Sequence, residues 1–237
     1  MADGELLVEL RGVSKEYRAL RPLRIQHLEL RAGESIALLG LDAAMAEVLV
    51  NLITGAQLPD EGDVRVFGGS TNTITAVDEW VTALDSFGLI SDRAVLVEQF
   101  TTEQNLALPL SLDIDEMPDA LRDKVRRLAS EVGLAQETMA LPTSALTPTD
   151  QLRLRLGRAL ALRPRVLLAE HPNASLSGEE SPRFAKDFLR ISAERHVASL
   201  VITADPIFAA AVADTVLELQ PATGALKSRS GFWRWFS

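Results

Sequence analysis

The stretch that most constrains this chain runs from Ser35 to Gly55, with the sequence SIALLGLDAAMAEVLVNLITG. Its first part, residues 35–39, is apolar and short, which predicts a buried strand that ends at Gly40. A helix is expected over about 43–54, with Gly55 as its stop signal. Because a buried strand, a glycine turn and a helix often form a phosphate site in α/β proteins, this stretch is the first candidate for function.

The stretch lacks the residue types that hold a phosphate. The phosphate-binding loop has the pattern G-x-x-x-x-G-K-[ST], and Gly40 supplies its first glycine. The second glycine, the lysine and the hydroxyl fall on Met45, Ala46 and Glu47. Glu47 would repel a phosphate by about 4 kcal/mol at roughly 4 Å under a surface-like dielectric. We predict that Asp42, as the N-cap, and Glu47, in the first helical turn, supply the negative charge at this helix end.

Length and composition limit the class of protein. The chain has 237 residues, 47% of them hydrophobic, enough for one large domain or a core with a subdomain. No apolar run reaches the roughly 18 residues of a membrane span, and the start, MADGELLVEL, does not resemble a secretion signal. The absence of cysteine fits a cytosolic protein. The net charge of −9 argues against a nucleic-acid partner.

Charge is unevenly distributed, and the histidines offer no metal site. Residues 76–150 hold 14 acidic and 5 basic residues, which indicates either a solvated acidic surface or an acidic binding face. The three histidines, His27, His171 and His196, do not have the spacing of metal ligands. No G-x-S-x-G motif supports a serine nucleophile. The sequence therefore predicts no metal site and no such triad.

Hydrophobic periodicity predicts the other elements. Short strands near the N-terminus indicate an antiparallel sheet, with a turn over 11–17; they are expected at 6–10, 28–30 and 63–67. Apolar runs that indicate further strands lie at 86–90, 166–169, 199–203 and 215–219. Helices are expected from about Ala76 and over 118–132, 150–162, 182–195 and 207–213.

Six segments in this order resemble the ATP-binding subunit of ABC transporters, particularly the lipoprotein-release and macrolide-export type. The resemblance covers about residues 5–226. The segments are VSKEY at 13–17, AGESIALLG at 32–40, LITGAQLPDEGDVRVFG at 52–68, TTEQNLALPL at 101–110, LGRALALRPRVLLAEHP at 156–172 and ADTVLELQPATGAL at 213–226. In this family an aromatic residue at the position of Tyr17 stacks on adenine.

The resemblance implies a fold and a division of the chain. The expected fold is α/β, with a P-loop NTPase-like core in which helices flank a mixed sheet. An antiparallel β subdomain is expected at about 5–34 and 62–70, and a helical subdomain at about 93–146. Together with the core these would form a single domain over 1–227. Residues 228–237 would form a C-terminal tail.

The same register implies that most nucleotide-handling positions have changed. The glutamine of the family's Q-loop falls on Asp92, and its signature motif falls on 146–150, Leu-Thr-Pro-Thr-Asp. The Walker B aspartate and the catalytic glutamate fall on Glu170 and His171. The D-loop aspartate falls on Ser177 and the switch histidine on Ala204. Among the nucleotide-contacting positions, Tyr17 and Gly40 match directly.

These changes lead to a functional hypothesis. The lysine, the magnesium-binding hydroxyl and the catalytic base are all replaced, so we expect no ATP hydrolysis, no catalytic residue and no bound ATP or magnesium. Weak ATP binding through Tyr17 and Gly40 is the alternative for the cofactor. The chain would be a structural or regulatory subunit of a membrane ABC transporter complex. The alternatives are an ATP-hydrolysing subunit with atypical motifs and a soluble interaction module unrelated to transport.

The family also implies partners and a location. A membrane permease subunit is expected, with or without an intact ABC ATPase, in a homo- or heterodimer at the inner face of the cytoplasmic membrane. The tail 231–237, GFWRWFS, adds four aromatic side chains beside basic residues. Phe232, Trp233, Trp235 and Phe236 are candidates for contact with a partner or a membrane. Alternatively, the tail folds back over the domain's own apolar surface.

Overall fold

Two β-sheets organise this protein, whose computed structural model describes residues 4–73 and 83–229. The first sheet is antiparallel and has the strand order β2-β1-β4-β5. Its strands are β1 (Leu6–Lys15), β2 (Leu23–Arg31), β4 (Glu61–Val66) and β5 (Gly69–Ser70). The near-alternation of buried and exposed residues along β2 fits this sheet, because one of its faces packs on the core.

The second sheet has six strands in the order β10-β9-β3-β8-β7-β6. They are β3 (Ser35–Leu39), β6 (Phe87–Ile90), β7 (Val166–Glu170), β8 (Ala198–Ile202), β9 (Thr215–Gln220) and β10 (Ala225–Ser228). All neighbours are parallel except β9 and β10, which form an antiparallel hairpin. Every residue of β3 and β8 is buried, as expected for parallel strands that are covered on both faces.

Six α-helices lie entirely within the described part of the chain, where residues 83–84 are helical as well. They are α1 (Ala43–Ile53), α2 (Thr102–Ala107), α3 (Asp119–Glu131), α4 (Pro148–Leu160), α5 (Glu180–Glu194) and α6 (Pro206–Val212). Short 3₁₀ turns occupy Thr71–Thr73, Gln136–Thr138 and Thr143–Ala145. The start of the helix predicted from about Ala76 falls on residues 74–82, which lie outside the described residues.

The N-terminal strands are longer than the sequence pattern predicted. The turn expected at 11–17 is wrong over its first part, because β1 continues to Lys15. Gly12 has a φ of +58°, and the pairing of β1 with β4 shifts register between Arg11 and Ser14. Gly12, which the sequence pattern places in a turn, thus forms an irregularity within a continuous strand.

The six-stranded sheet separates two apolar cores. The core on one side contains α1, the inner face of the antiparallel sheet and alternate residues of the central strands. The core on the other side contains residues of α2 to α6, including Phe184 and Phe188. The predicted α/β fold, with a mixed sheet flanked by helices and a separate antiparallel sheet, is confirmed. Because β3, β6, β7 and β8 are parallel, their carboxyl ends meet at one edge, where functional residues are expected.

Candidate functional site

Other groups of the same chain make close contacts with the turn between β3 and α1. Gly40 has a φ of +83°, and a Cβ atom there would lie 2.9 Å from the Leu219 carbonyl oxygen, so only glycine fits. Asp42 is the N-cap of α1, as predicted, and its carboxylate accepts a hydrogen bond of 2.8 Å from the Met45 amide. The Ala46 amide donates to the Asp42 carbonyl at 2.9 Å. One capping and one helical hydrogen bond therefore occupy the Met45 and Ala46 amides at the start of the helix.

The three substituted positions differ in exposure. Met45 is half-buried, Ala46 is fully buried in the core, and the Glu47 side chain is about half exposed at 48%. Because α1 begins at Ala43, Glu47 lies in the second turn of the helix, and its predicted place in the first turn is wrong. Asp42 alone thus provides the carboxylate at the helix N-terminus.

Tyr17 lies close to this turn. It is partly buried against the core that contains α1. Burial, and secondarily the negative charge of Asp42, raise the pKa of the Tyr17 phenol. The two residues predicted to contact ATP, Tyr17 and Gly40, are therefore on the same side of the molecule, with the Asp42 carboxylate beside them.

Arg93 forms an ionic network at the carboxyl edge of the sheet. Its guanidinium binds the Glu170 carboxylate in a fork, through Nη2 and, at 3.1 Å, through Nε. It also reaches Glu47 Oε1 and Asn51 Oδ1, each at 3.5 Å. The buried Ser91 hydroxyl donates to Glu170 at 2.6 Å. These contacts raise the pKa of Arg93, with the Glu170 hydrogen bond as the main cause.

This network links two predicted positions through a residue that the motif reasoning missed. Glu47 and Glu170 fall on the positions of the magnesium-binding hydroxyl and the Walker B aspartate, and Arg93 joins them. A signal was present in the sequence, because Arg93 is the only basic residue between Arg65 and Arg122. A lone cation in an acidic stretch indicates a specific carboxylate partner.

Two further predicted positions, Asp92 and His171, lie near Glu170. Asp92, Glu170 and His171 line the same small cavity of about 10 Å³. The Asp92 side chain is 84% exposed and forms an ion pair with Arg155 Nη2 at 3.3 Å. His171 has a φ of +44°, and its Nε2 is buried with no hydrogen-bond partner in the described ranges. The cavity thus brings the His171 imidazole near the Asp92 and Glu170 carboxylates, but no hydrogen bond to Nε2 from the described residues orients the imidazole.

Ala204 and the signature segment make different contacts. Ala204 follows β8 and is exposed, whereas its neighbour Thr203 is buried and donates to Asn173 at 2.8 Å.

In the signature segment, residues 146–150, Thr147 caps α4 and forms hydrogen bonds with Asp150. The Thr149 hydroxyl donates to Glu180 at 2.5 Å. Glu180 also accepts from the Ser177 amide at 3.1 Å, so this segment is tied to the start of α5 within the same chain.

Residues 4–73 and 83–229 contain neither a metal-binding cluster nor a membrane-spanning helix. Within these ranges no group of three or more histidine, cysteine or acidic residues is placed to hold a metal ion. None of the helices there combines the length and apolarity that a bilayer crossing requires. The aromatic tail residues Phe232, Trp233, Trp235 and Phe236 lie outside the described part of the chain.

The family match and the similar proteins agree on one family. The ABC transporter family matches residues 23–174. The ABC transporter ATP-binding protein YtrE of Bacillus subtilis is 30% identical over 204 residues, which cover 86% of each chain. The Fe(3+) ions import ATP-binding protein FbpC of Serratia marcescens is 29% identical over 213 residues, 88% of this chain but only 59% of FbpC. This chain therefore spans about three fifths of that relative.

Solved structures share the fold. The dimeric structure of MJ0796, described as a bacterial ABC transporter cassette, superimposes with a TM-score of 0.79 and 20% sequence identity. The match covers 95% of this chain and all of that one. A post-hydrolysis form of MJ0796, bound to ADP and Pi, gives a TM-score of 0.78. Because the family matches more than half of its length and the cassette fold extends over nearly all of it, the chain belongs to the ABC transporter family.

Proposed function

We propose that this chain is a non-catalytic ABC-type subunit of the lipoprotein-release and macrolide-export type, which neither binds MgATP nor hydrolyses it. Its role would be structural or regulatory, within a membrane transporter complex. The observation that carries this proposal is the Arg93 network. A guanidinium lies between the Glu47 and Glu170 carboxylates, at two positions where the family's resemblance implies magnesium ligands.

The chemistry of phosphoryl transfer explains why this observation matters. Such catalysis depends on cations and on positioned groups that stabilise charge on the transferred phosphoryl group. To bind between Glu47 and Glu170, a magnesium ion would have to displace Arg93, and a guanidinium paired with a carboxylate of 8% exposure is strongly held. The position of the phosphate-binding lysine holds Ala46, which is buried and uncharged.

The helix end supports the same proposal. Backbone amides at a helix N-terminus are the usual donors to a phosphate. In α1 the Asp42 carboxylate already accepts from the Met45 amide. An incoming phosphate would therefore meet a carboxylate in place of free donors, and Glu47 would add a second repulsive charge.

The proposed setting follows from the relatives. Their names describe ATP-binding proteins of transporters and importers. We therefore propose a membrane permease subunit as partner, with or without an intact ABC ATPase, in a homo- or heterodimer on the inner face of the cytoplasmic membrane. The division into a β subdomain, a helical subdomain near 93–146 and a core is part of this proposal. We propose no nucleic acid as a partner.

Isothermal titration with MgATP tests the nucleotide hypothesis. We expect no saturable heat with the purified chain and no phosphate release. YtrE, purified and titrated in the same way, is the positive control. Saturable binding that weakens in a Tyr17→Ala variant would support the ATP-binding alternative and overturn the proposal.

A second experiment tests the setting. The tagged chain is purified from solubilised membranes, and its co-purifying proteins are identified. A permease in the preparation supports the proposal, whereas recovery from the soluble fraction alone supports an interaction module unrelated to transport. Phosphate release is then measured with the recovered partner present. Turnover that requires this chain's Glu170 would contradict the non-catalytic role.

A further inference from the structure

A cavity of about 270 Å³ lies where α3 meets the ends of α4 and α5. Three buried apolar residues form part of its lining: Leu128, Leu160 and Ala161. The charged part of the lining consists of four cations and one carboxylate: Lys124, Arg127, Arg163, Arg195 and Glu131. This cationic cavity is therefore locally positive, although the whole chain has a net charge of −9.

The one carboxylate of the lining is already neutralised. Arg195 binds the Glu131 carboxylate in a fork, through Nε and Nη2, and its Nη1 donates to the Leu160 carbonyl at 2.9 Å. Arg195 thus joins the ends of three helices and spends its charge on Glu131. In residues 4–73 and 83–229, no ion pair or hydrogen bond engages the other cationic side chains of the lining, those of Lys124, Arg127 and Arg163.

Helix ends explain only part of this charge. The carbonyl groups at a helix C-terminus attract cations, and Arg163 follows the end of α4 by three residues. The last turn of α3, however, contains no basic residue, so Lys124 and Arg127 gain little from that helix end. These two residues are three positions apart and share one face of α3. Their like charges repel each other at the same cavity, and a bound anion would offset that repulsion.

The backbone at Arg163 is a second observation. Its φ is +57°, in the left-handed region that glycine and asparagine adopt more readily. The Arg163 amide donates to the Leu160 carbonyl at 3.1 Å, which closes a turn after α4. Such a turn does not require a basic side chain. The geometry of the turn therefore does not account for an arginine at this position, whereas a site for an anion does.

The lining favours a compact anion of the phosphate class. Guanidinium groups form paired hydrogen bonds with phosphate oxygens, and the lysine ammonium adds a point charge. None of the described residues that line the cavity is aromatic, so no ring there would stack on a nucleobase. The volume of about 270 Å³ is at the lower limit for small-molecule pockets. A diphosphate suits this space better than a whole nucleotide.

We propose that the cationic cavity binds a compact, multiply charged phosphate anion through Lys124, Arg127 and Arg163. The fork between Arg195 and Glu131 stays in place and holds the helix ends together. Such an anion occurs as free diphosphate and, in a related form, as the head group of an anionic phospholipid. The cavity contains no residue of the Arg93 network, so the inference does not rest on the loss of nucleotide chemistry.

Isothermal titration of the whole chain in the absence of magnesium tests this proposal. The probes are inorganic diphosphate, inorganic phosphate and citrate. We expect diphosphate to bind with a dissociation constant of about 1 mM or lower, about tenfold more tightly than phosphate. Citrate has a similar charge but carboxylate geometry, and it should bind more weakly than diphosphate. Diphosphate should also raise the melting temperature, because it would bind the folded chain only.

A lipid arm separates the two sources of the anion. The chain is sedimented with phosphatidic acid vesicles, with and without free diphosphate. Sedimentation that diphosphate abolishes assigns the site to a lipid head group, whereas diphosphate binding without sedimentation assigns it to the free anion. Sedimentation that diphosphate leaves unchanged, combined with no heat in the titration, would overturn the proposal.

Variants make the test specific. Arg127→Gln combined with Arg163→Gln should weaken diphosphate binding at least about tenfold. Lys124→Gln, at an exposed residue, should weaken it less and serves if the double variant fails to fold. Arg126→Gln is the matched control, because it removes the same charge from α3 at a residue whose recorded ion pair is with Asp123. It should leave binding unchanged.

Three outcomes would contradict the phosphate site. They are citrate binding as tight as diphosphate, equal loss of binding in the Arg126→Gln control, and full binding in folded variants that lack the cavity's cations. The MgATP titration bears on the carboxyl edge of the sheet and on Tyr17, whereas this one bears on the ends of α3, α4 and α5. Either proposal can therefore fail alone.

Discussion

Glu47 and Glu170 lie far apart in the chain, on α1 and at the end of β7, and Arg93 brings their carboxylates under one guanidinium. Glu170 is nearly buried, whereas Glu47 and Arg93 are partly exposed. The contacts among these three charged groups therefore contribute differently to the stability of the fold. The fork to Glu170 is the stabilising contact, and the contact with Glu47 at 3.5 Å adds a weaker attraction.

At this residue scale, Arg93→Ala should destabilise the protein. The substitution leaves the Glu170 carboxylate poorly solvated and without its cation. We expect a loss of about 2 kcal/mol in the free energy of unfolding, less than for a fully buried pair because Arg93 is 36% exposed. Urea denaturation monitored by circular dichroism measures the change.

A second substitution separates charge from packing. Glu170→Gln added to Arg93→Ala removes the unpaired charge, so much of the lost stability should return. Arg126→Ala, on the exposed face of α3, is the control and should change stability by less than about 0.5 kcal/mol. A double variant as unstable as Arg93→Ala would show that the pair contributes through packing alone.

At the scale of elements, Glu180 connects the starts of α4 and α5. Its carboxylate accepts from the Thr149 hydroxyl and from the amide of Ser177. The Thr149 hydrogen bond, followed by those of Ser177, lowers the pKa of Glu180 below its ordinary value of 4.5. Since the folded pKa is below the unfolded one, this stabilisation is present at neutral pH and is lost as the pH falls below about 4.5.

Acid denaturation tests this connection. Between pH 7 and about pH 3, the wild-type chain should lose more stability than Glu180→Gln, because glutamine has no proton to gain. Glu137→Gln, at an exposed residue in the 3₁₀ turn Gln136–Thr138, should follow the wild-type curve. The measurement is the urea midpoint at each pH. Parallel curves for wild type and Glu180→Gln would mean that the bonds to Glu180 do not stabilise the fold.

The packing of β6 on α4 depends on Gly88. A Cβ atom there would lie 2.6 Å from both the Ala159 carbonyl oxygen and Leu167 Cδ2. Gly88→Ala should therefore force the strand and helix apart, at a cost of about 1–3 kcal/mol in stability. Gly178→Ala is the control, because an added Cβ atom there meets nothing within 4 Å. Thermal melts of both variants measure the difference, and equal melting temperatures would refute the close approach.

At the scale of the whole molecule, the C-terminal tail gives a further prediction. Its four aromatic residues beside Arg234 favour contact with a membrane or a partner. Deletion of residues 231–237 should reduce sedimentation with anionic lipid vesicles and leave the melting temperature unchanged. A lower melting temperature with unchanged sedimentation would support the other hypothesis, a tail packed on the domain itself. A deletion of the same length cannot be made inside the fold, so a tail with alanine at the four aromatic positions is the control for length.

Local signals in the sequence determined the central elements of the fold. The apolar run of β3, the Asp42 cap and the Gly55 stop predicted the bounds of β3 and α1 within a residue or two. Similar signals predicted β7, α5 and β8. The prediction was less accurate at β1, because a positive φ at Gly12 serves equally for a turn and for an irregular strand.

The sequence by itself determined which side chains occupy the altered positions, because Met45, Ala46 and Glu47 follow Gly40 at fixed spacing. Only the tertiary structure decided what those side chains meet. Arg93 reaches Glu170 and Glu47 because the parallel strands β6 and β7 end at the same edge of the sheet as β3, beside α1. Spacing along one chain fixes local hydrogen bonds, whereas contacts between distant charges depend on strand order, which no local pattern encodes.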